Sequence, residues 1–156
     1  MFTTKRTFIV VLTLTALLSL PSFGATYTTT GSGNWSDPTI WSLDGGSTSC
    51  FCTPPTNLSG DTITINHDIV ATANLAVSNS GQLNVNASGT LDATGRRLTI
   101  TDNAEVNLYG DCSFSRFING TSAGTSGGTL NIIGSIIHLA GPINANAGVI
   151  NIAGYL

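Results

Sequence analysis

Between Leu75 and Phe114 the apolar residues fall in pairs that flank one polar or small residue: Leu75 with Val77, Leu83 with Val85, Leu91 with Ala93, Leu98 with Ile100, and Val106 with Leu108. A period of two turns one side chain into a core and the next toward solvent, so each pair predicts a short strand. The first members follow at steps of 8, 8, 7 and 8 residues, and Phe114 adds another 8. Leu75 to Leu98, Leu83 to Val106 and Leu91 to Phe114 are therefore each 23 apart. Three short strands in a 23-residue repeat predict one coil of a parallel β-helix.

The same texture extends in both directions. Asp61-Thr62-Ile63-Thr64-Ile65-Asn66 alternates, a turn passes through His67-Asp68, and Ile69 or Val70 opens the next arm. After Phe114 the chain enters a Gly, Ser and Thr stretch, predicted as a loop over 119–129 thrown out from one corner. Coils then resume with Leu130 and Ile132, Ile137 and Leu139, Ile143 and Ala145, Ile150 and Ile152, and Leu130 to Ile150 spans 20 residues. From Gly60 to the last residue, 156, this makes about four coils, a stack roughly 19 Å tall at ordinary strand spacing. Ile152, Tyr155 and Leu156 would leave its far edge unprotected, which predicts that further coils continue it or that a partner covers it.

Residues 25–59 read differently. They hold Thr28-Thr29-Thr30, a Gly-Ser-Gly turn at 31–33, both tryptophans of the chain and Pro54-Pro55, and they predict an irregular cap over the first coil. Trp35 and Trp41 have two readings: rings packed on that coil, or an exposed platform on which sugar rings stack. Gly33-Asn34-Trp35-Ser36-Asp37, then Trp41, Pro55, and Gly60-Asp61 followed by Ile63 and Ile65 are similar to the opening of the eight-glycine (G-eight) domain at the N-terminus of secreted bacterial β-helix proteins. The likeness covers about residues 33 to 77, and where that family has a glycine before its next strand this chain has His67-Asp68. It implies an extracellular β-helical module with a ligand-binding or adhesive role and carries no established catalytic residue.

The first 24 residues stand outside this organisation. Lys5 and Arg6 precede an apolar run from Phe8 to Leu20, broken by Pro21, with small residues at Ser22 and Gly24; the pattern predicts a signal peptide at 1–24. The run is too short to span a bilayer, and no membrane insertion is expected after cleavage. Beyond residue 24 the chain keeps three basic residues, Arg96, Arg97 and Arg116, against seven Asp and one Glu, a net charge of 3 − 8 = −5. Such a balance gives no attraction for nucleic acid. The three cysteines leave several arrangements open. Cys50 and Cys52 are separated only by Phe51, a spacing that strains a direct bridge; one of them joined to Cys112 would tie the cap to the coils; or Cys112 is a buried free thiol.

Chemistry is sparse. Asp68 and Asp92 lie 24 apart, nearly one coil, but at different phases, and no lysine or matching arginine completes a polysaccharide lyase set. Asp102, Asn103 and Glu105 could begin a calcium site, though turn chemistry explains Asp-Asn as well, and His67 and His138, 71 apart, read as surface or turn histidines rather than metal ligands. Thr62-x-Thr64 and Thr99-x-Thr101 are an ice-binding pattern that Asn84 and Asn86 interrupt. Asn34, Asn57, Asn86 and Asn119 head Asn-x-Ser/Thr triplets. No catalytic residue, metal or cofactor is assigned. The expectation is a secreted, non-catalytic parallel β-helix module, structural, adhesive or glycan-binding, partnered by an extracellular glycan or a surface protein. The alternative is the front of a β-helical polysaccharide-degrading enzyme with its catalytic residues elsewhere.

Overall fold

A computed structural model describes residues 24–120, 126–133 and 137–153. The first half of the described chain forms β1 (Thr26–Thr29), β2 (Gly33–Asn34), β3 (Trp41–Leu43), β4 (Asn57–Ser59), β5 (Thr62–Ile65), β6 (Asp68–Val70), β7 (Leu75–Ser78) and β8 (Gln82–Val85). Then come β9 (Thr90–Ile100), β10 (Glu105–Leu108), β11 (Cys112–Asn119), β12 (Thr129–Ile132), β13 (Ile137–Leu139), β14 (Ile143–Ala145) and β15 (Val149–Ile152). Among the described residues all strand pairings but that of β1 with β3 are parallel, and the chain is a β-solenoid of about four turns.

Three faces wrap the core. The first stacks β15-β12-β10-β8-β5-β1-β3. The second stacks β2, β6, the front half of β9, the front half of β11, and β13; the third stacks β4, β7, the back halves of β9 and β11, and β14. Inward side chains pile into columns. On the first face Ile63, Leu83, Val106 and Leu130 sit in register, all fully buried. On the third, Leu98 lies opposite both Leu75 and Phe117. Each column hides apolar area that no single coil could cover alone, which is why the turns need one another.

Predicted and observed registers agree for Leu75 with Leu98 and Leu83 with Val106, and differ at Phe114. Leu91 meets Cys112, and Phe114 meets Ala93. The cause is a corner of unequal length. β9 takes five residues from Ala93 to Leu98, whereas β11 takes three from Phe114 to Phe117, with a register shift between Phe114 and Arg116. Coil length consequently varies: Ile63 to Leu83 is 20, Leu83 to Val106 is 23 and Val106 to Leu130 is 24.

Within residues 25–59, β3 is the edge strand of the first face, beyond β1, and part of the segment is itself coil. β1 and β2 run parallel to β5 and β6, so the spiral starts before Gly60. β3, antiparallel to β1, is reached through a 3₁₀ turn at Pro38–Ile40. Asp37 caps that turn, accepting from the Thr39 backbone N–H at 2.9 Å and its hydroxyl at 2.7 Å, with Pro38 needing no donor there.

At the far side of the coils, the inward column of Val77 and Ile100 changes character and continues as Asn119. Asn119 is fully buried. Its Nδ2 donates to the carbonyls of Gly128 (3.0 Å) and Val149 (3.1 Å), and its Oδ1 accepts from the Gly128 N–H (2.9 Å). One side chain thereby fastens the two ends of the predicted 119–129 excursion and the strand above it. Residues 121–125 of that excursion and the end residues 154–156 lie outside the described residues, as does the predicted signal peptide up to residue 23.

Candidate functional site

The outward side chains of the first face form two columns across the strands. One runs Thr26, Thr62, Gln82, Glu105, Thr129 and Val149; the other runs Thr28, Thr64, Asn84, Asn107, Asn131 and Asn151. The second column ends in an amide ladder. Asn107 Nδ2 donates to Asn84 Oδ1 (2.9 Å), Asn131 Nδ2 to Asn107 Oδ1 (2.7 Å), and Asn151 Nδ2 to Asn131 Oδ1 (2.7 Å). A parallel rung joins Asn86 Nδ2 to Asn66 Oδ1 at 2.6 Å. In-register parallel strands place identical amides about 4.8 Å apart, which suits this head-to-tail bonding. An amide has two donors and two lone pairs, so Asn84 and Asn107 keep capacity toward solvent. Glu105 is the only charged group in either column, and Tyr109, partly exposed, lies just past the end of β10.

The Thr-x-Thr strands do not share this surface. Thr62 and Thr64 lie on the first face, whereas Thr99 pairs with Ala76 and Ile118 on the third. The threonines that do stand beside Thr62 and Thr64 are Thr26 and Thr28 of β1, and on the other side the columns pass to Gln82 and Asn84.

On the second face one outward column reads Val70, Asp92, Ser113 and His138, and the next reads Asp68 and Thr90. Asp68 and Asp92 are therefore neighbours on a diagonal and not a facing pair. Each is spent locally: Asp68 accepts from the Thr90 hydroxyl at 2.9 Å, and Asp92 accepts from the Thr94 hydroxyl at 2.6 Å and its backbone N–H at 3.0 Å. Those bonds from Thr94 hold the Asp92 carboxyl below its ordinary value, so it stays ionised at neutral pH and has no proton to lend. Ser113 and His138 line an open depression with Thr94 and Leu139 and make no hydrogen bond to each other. His67 Nδ1 is engaged with the Thr29 hydroxyl at 3.0 Å. Among the described residues no three His, Cys, Asp or Glu side chains gather as a metal set.

Trp35 and Trp41 do not form a stacking platform. They are 4% and 0% exposed, packed edge to face with ring centroids 5.3 Å apart. Trp41 Nε1 donates to the Trp35 carbonyl (3.0 Å) and Trp35 Nε1 to that of Pro54 (3.1 Å), so both polar edges are satisfied within residues 25–59. Neither ring has a face left for a sugar. Asn119, likewise, is no glycan acceptor, because its amide is enclosed and fully bonded.

The cysteines resolve into an arrangement that their spacing disfavours. Cys50 and Cys52 are joined, and Cys112 is free and buried, so no bridge ties the cap to the coils. Phe51 adopts φ +52°, which folds the backbone back until the two Cα atoms are 5.2 Å apart, inside the range a disulfide spans. Phe51 itself is thrust outward, 75% exposed. Burial pushes the Cys112 thiol up to about 12; the Leu91 backbone bond opposes this and the nearby Asp111 charge adds to it. Alkylation of the native protein at mildly alkaline pH is therefore expected to add no group, denaturation alone one at Cys112, and denaturation with reduction three. Intact mass reads this directly. A raised value means folding favours the neutral thiol, so its stabilising share is complete below 9.0 and is lost as pH climbs toward about 12.

One corner remains, where the second face turns into the third. Gly95, at φ +76°, turns β9 into Arg96 and Arg97, and Arg116 of β11 is the register partner of Arg97. All three basic residues beyond position 24 thus meet in one place. Compared with protein-family models, with curated proteins and with solved structures, the chain gives no match.

Proposed function

We propose that this protein is a secreted, non-catalytic β-helix module with a structural or adhesive role at the cell surface, and that it binds glycan. The observation that carries this reading is the first face: a seven-stranded surface whose outward residues on β1, β5, β8, β10 and β12 are hydroxyls and amides in register, with one carboxylate among them and Val149 at the margin. Rows of neutral donors and acceptors match polyhydroxylated chains, which offer both kinds of group at every unit. Export is supported by the basic and apolar leader at 5–20 and by a Cys50–Cys52 disulfide, which persists in oxidising compartments. The likeness of Gly33-Asn34-Trp35 and Gly60-Asp61 to the G-eight opening supports the same surface role. Catalysis finds no support, since Asp68 and Asp92 are bonded locally and point from different columns.

Sedimentation of the purified protein with insoluble polysaccharides, neutral and acidic, tests the reading. Retention on at least one carbohydrate polymer is expected. A protein that stays in the supernatant with all of them removes the glycan-binding role.

A further inference from the structure

The corner at Arg96, Arg97 and Arg116 poses an electrostatic problem that the fold alone does not solve. Arg97 and Arg116 lie directly opposite each other on adjacent parallel strands, about 4.8 Å apart at the backbone, and like charges so placed repel. Arg96, exposed and next to Arg97 in the chain, adds a third positive charge to the corner. Among the described residues none of the three has a carboxylate partner, although the chain beyond residue 24 carries eight acids. Backbone contacts hold the corner in shape: the Arg97 N–H donates to Asn74 Oδ1 (2.9 Å), and the Ser115 hydroxyl donates to the Arg96 carbonyl (2.7 Å). The side chains are left over. Arg97 Nε is buried with no hydrogen-bond partner, an unspent donor on a charged group.

We propose that this corner binds an anionic group, the carboxylate or sulfate ester of an acidic polysaccharide. Guanidinium forks match both oxyanions in planar, two-point geometry, and an anion between Arg97 and Arg116 converts their repulsion into attraction. The net charge of −5 does not prevent this. At physiological ionic strength fields decay over about 8 Å, so a ligand at the corner responds to the local cluster more than to distant acids. The nearest outward acid along β9 is Asp92, five residues before Arg97 and already engaged by Thr94. The inference rests on the glycan-binding reading only in taking the anion to belong to a polysaccharide.

The test uses the purified protein with polygalacturonate for carboxylate, dextran sulfate for sulfate ester and uncharged dextran as control, by calorimetry at two salt concentrations. The variants are Arg97→Gln, Arg116→Gln and the double change, with Asp44→Asn, on the exposed turn after β3, as control. Expected results are salt-sensitive binding to at least one acidic polymer and none to dextran. The double variant should bind at least about tenfold more weakly, each single less so, with the control unchanged. Without ligand, the double variant should melt no lower than the parent, since it removes like-charge repulsion; a merely structural role would lower it. Equal binding by the double variant, or no binding to either acidic polymer, overturns the proposal. Binding of neutral polymers alone overturns the corner while leaving the broader glycan-binding reading intact.

Discussion

Replacing Asn119 with valine is expected to destabilise the protein by about 3 to 5 kcal/mol, although valine matches Val77 and Ile100 in the same column. The change leaves the Gly128 N–H and the Val149 carbonyl without partners, while the Gly128 carbonyl keeps only its bond from the Val149 N–H. Each buried polar group left unpaired costs about 1 to 3 kcal/mol, against a total stability of order 5 to 15 kcal/mol for a domain. The added apolar contact recovers only part of that. Urea unfolding followed by circular dichroism measures the loss, and an unchanged midpoint would sink the clamp. Because coils interact chiefly with nearest neighbours, the damage should also be local. Hydrogen exchange is expected to accelerate at the Val149 amide, which donates to Gly128, while β5 and β8 keep their protection.

The second large effect is expected at Gly110. This residue lies over Gly89 of the preceding coil, so closely that a β-carbon on Gly110 would overlap the Gly89 carbonyl oxygen and stand 2.5 Å from that of Asn86. A β-carbon on Gly89 would in turn stand 2.6 Å from the Ile65 oxygen, so the glycines pave one corner through successive turns. Backbone atoms on both sides leave no flexible side chain to give way. Gly110→Ala should therefore cost roughly 3 kcal/mol or more, or yield insoluble protein. Gly31→Ala is the control: its β-carbon would meet only Ile40 Cγ2, at 3.9 Å, and its melting temperature should hold or rise slightly. Equal tolerance of both substitutions would mean that the corner can open.

These two residues mark what hydrophobic patterning conveys and what it does not. Alternation located the strands and the matched phases of Leu83 with Val106 and Leu130 with Ile150, because inward positions must be apolar wherever turns stack. Corners carry no such signal. The extra residues between Ala93 and Leu98 are absent between Phe114 and Phe117, so a uniform repeat of 23 misplaces Phe114. The same assumption hid the meeting of Arg97 with Arg116, which are only 19 apart. The buried clamp at Asn119 had no signal because a polar residue before glycine reads as a turn, and one of its partners is a carbonyl 30 residues on. The tryptophans show a different limit: aromatic residues in a glycine-rich segment look alike whether their faces are covered or free. The burial of both rings and the hydrogen bonds from Nε1 to Pro54 and Trp35 distinguish the two. For the cysteines the deciding quantity is the positive φ of Phe51, a backbone state rarely taken by a bulky side chain.

The antiparallel strand β3 gives the molecule a direction in time as well as in space. Its hairpin with β1 is built from contacts between Tyr27 and Leu43 and between Thr29 and Trp41, all close in sequence. A chain synthesised from its amino end delivers that hairpin before any later turn has emerged. Every subsequent turn then finds a template to pair with, and assembly can keep pace with synthesis without waiting for the carboxyl end.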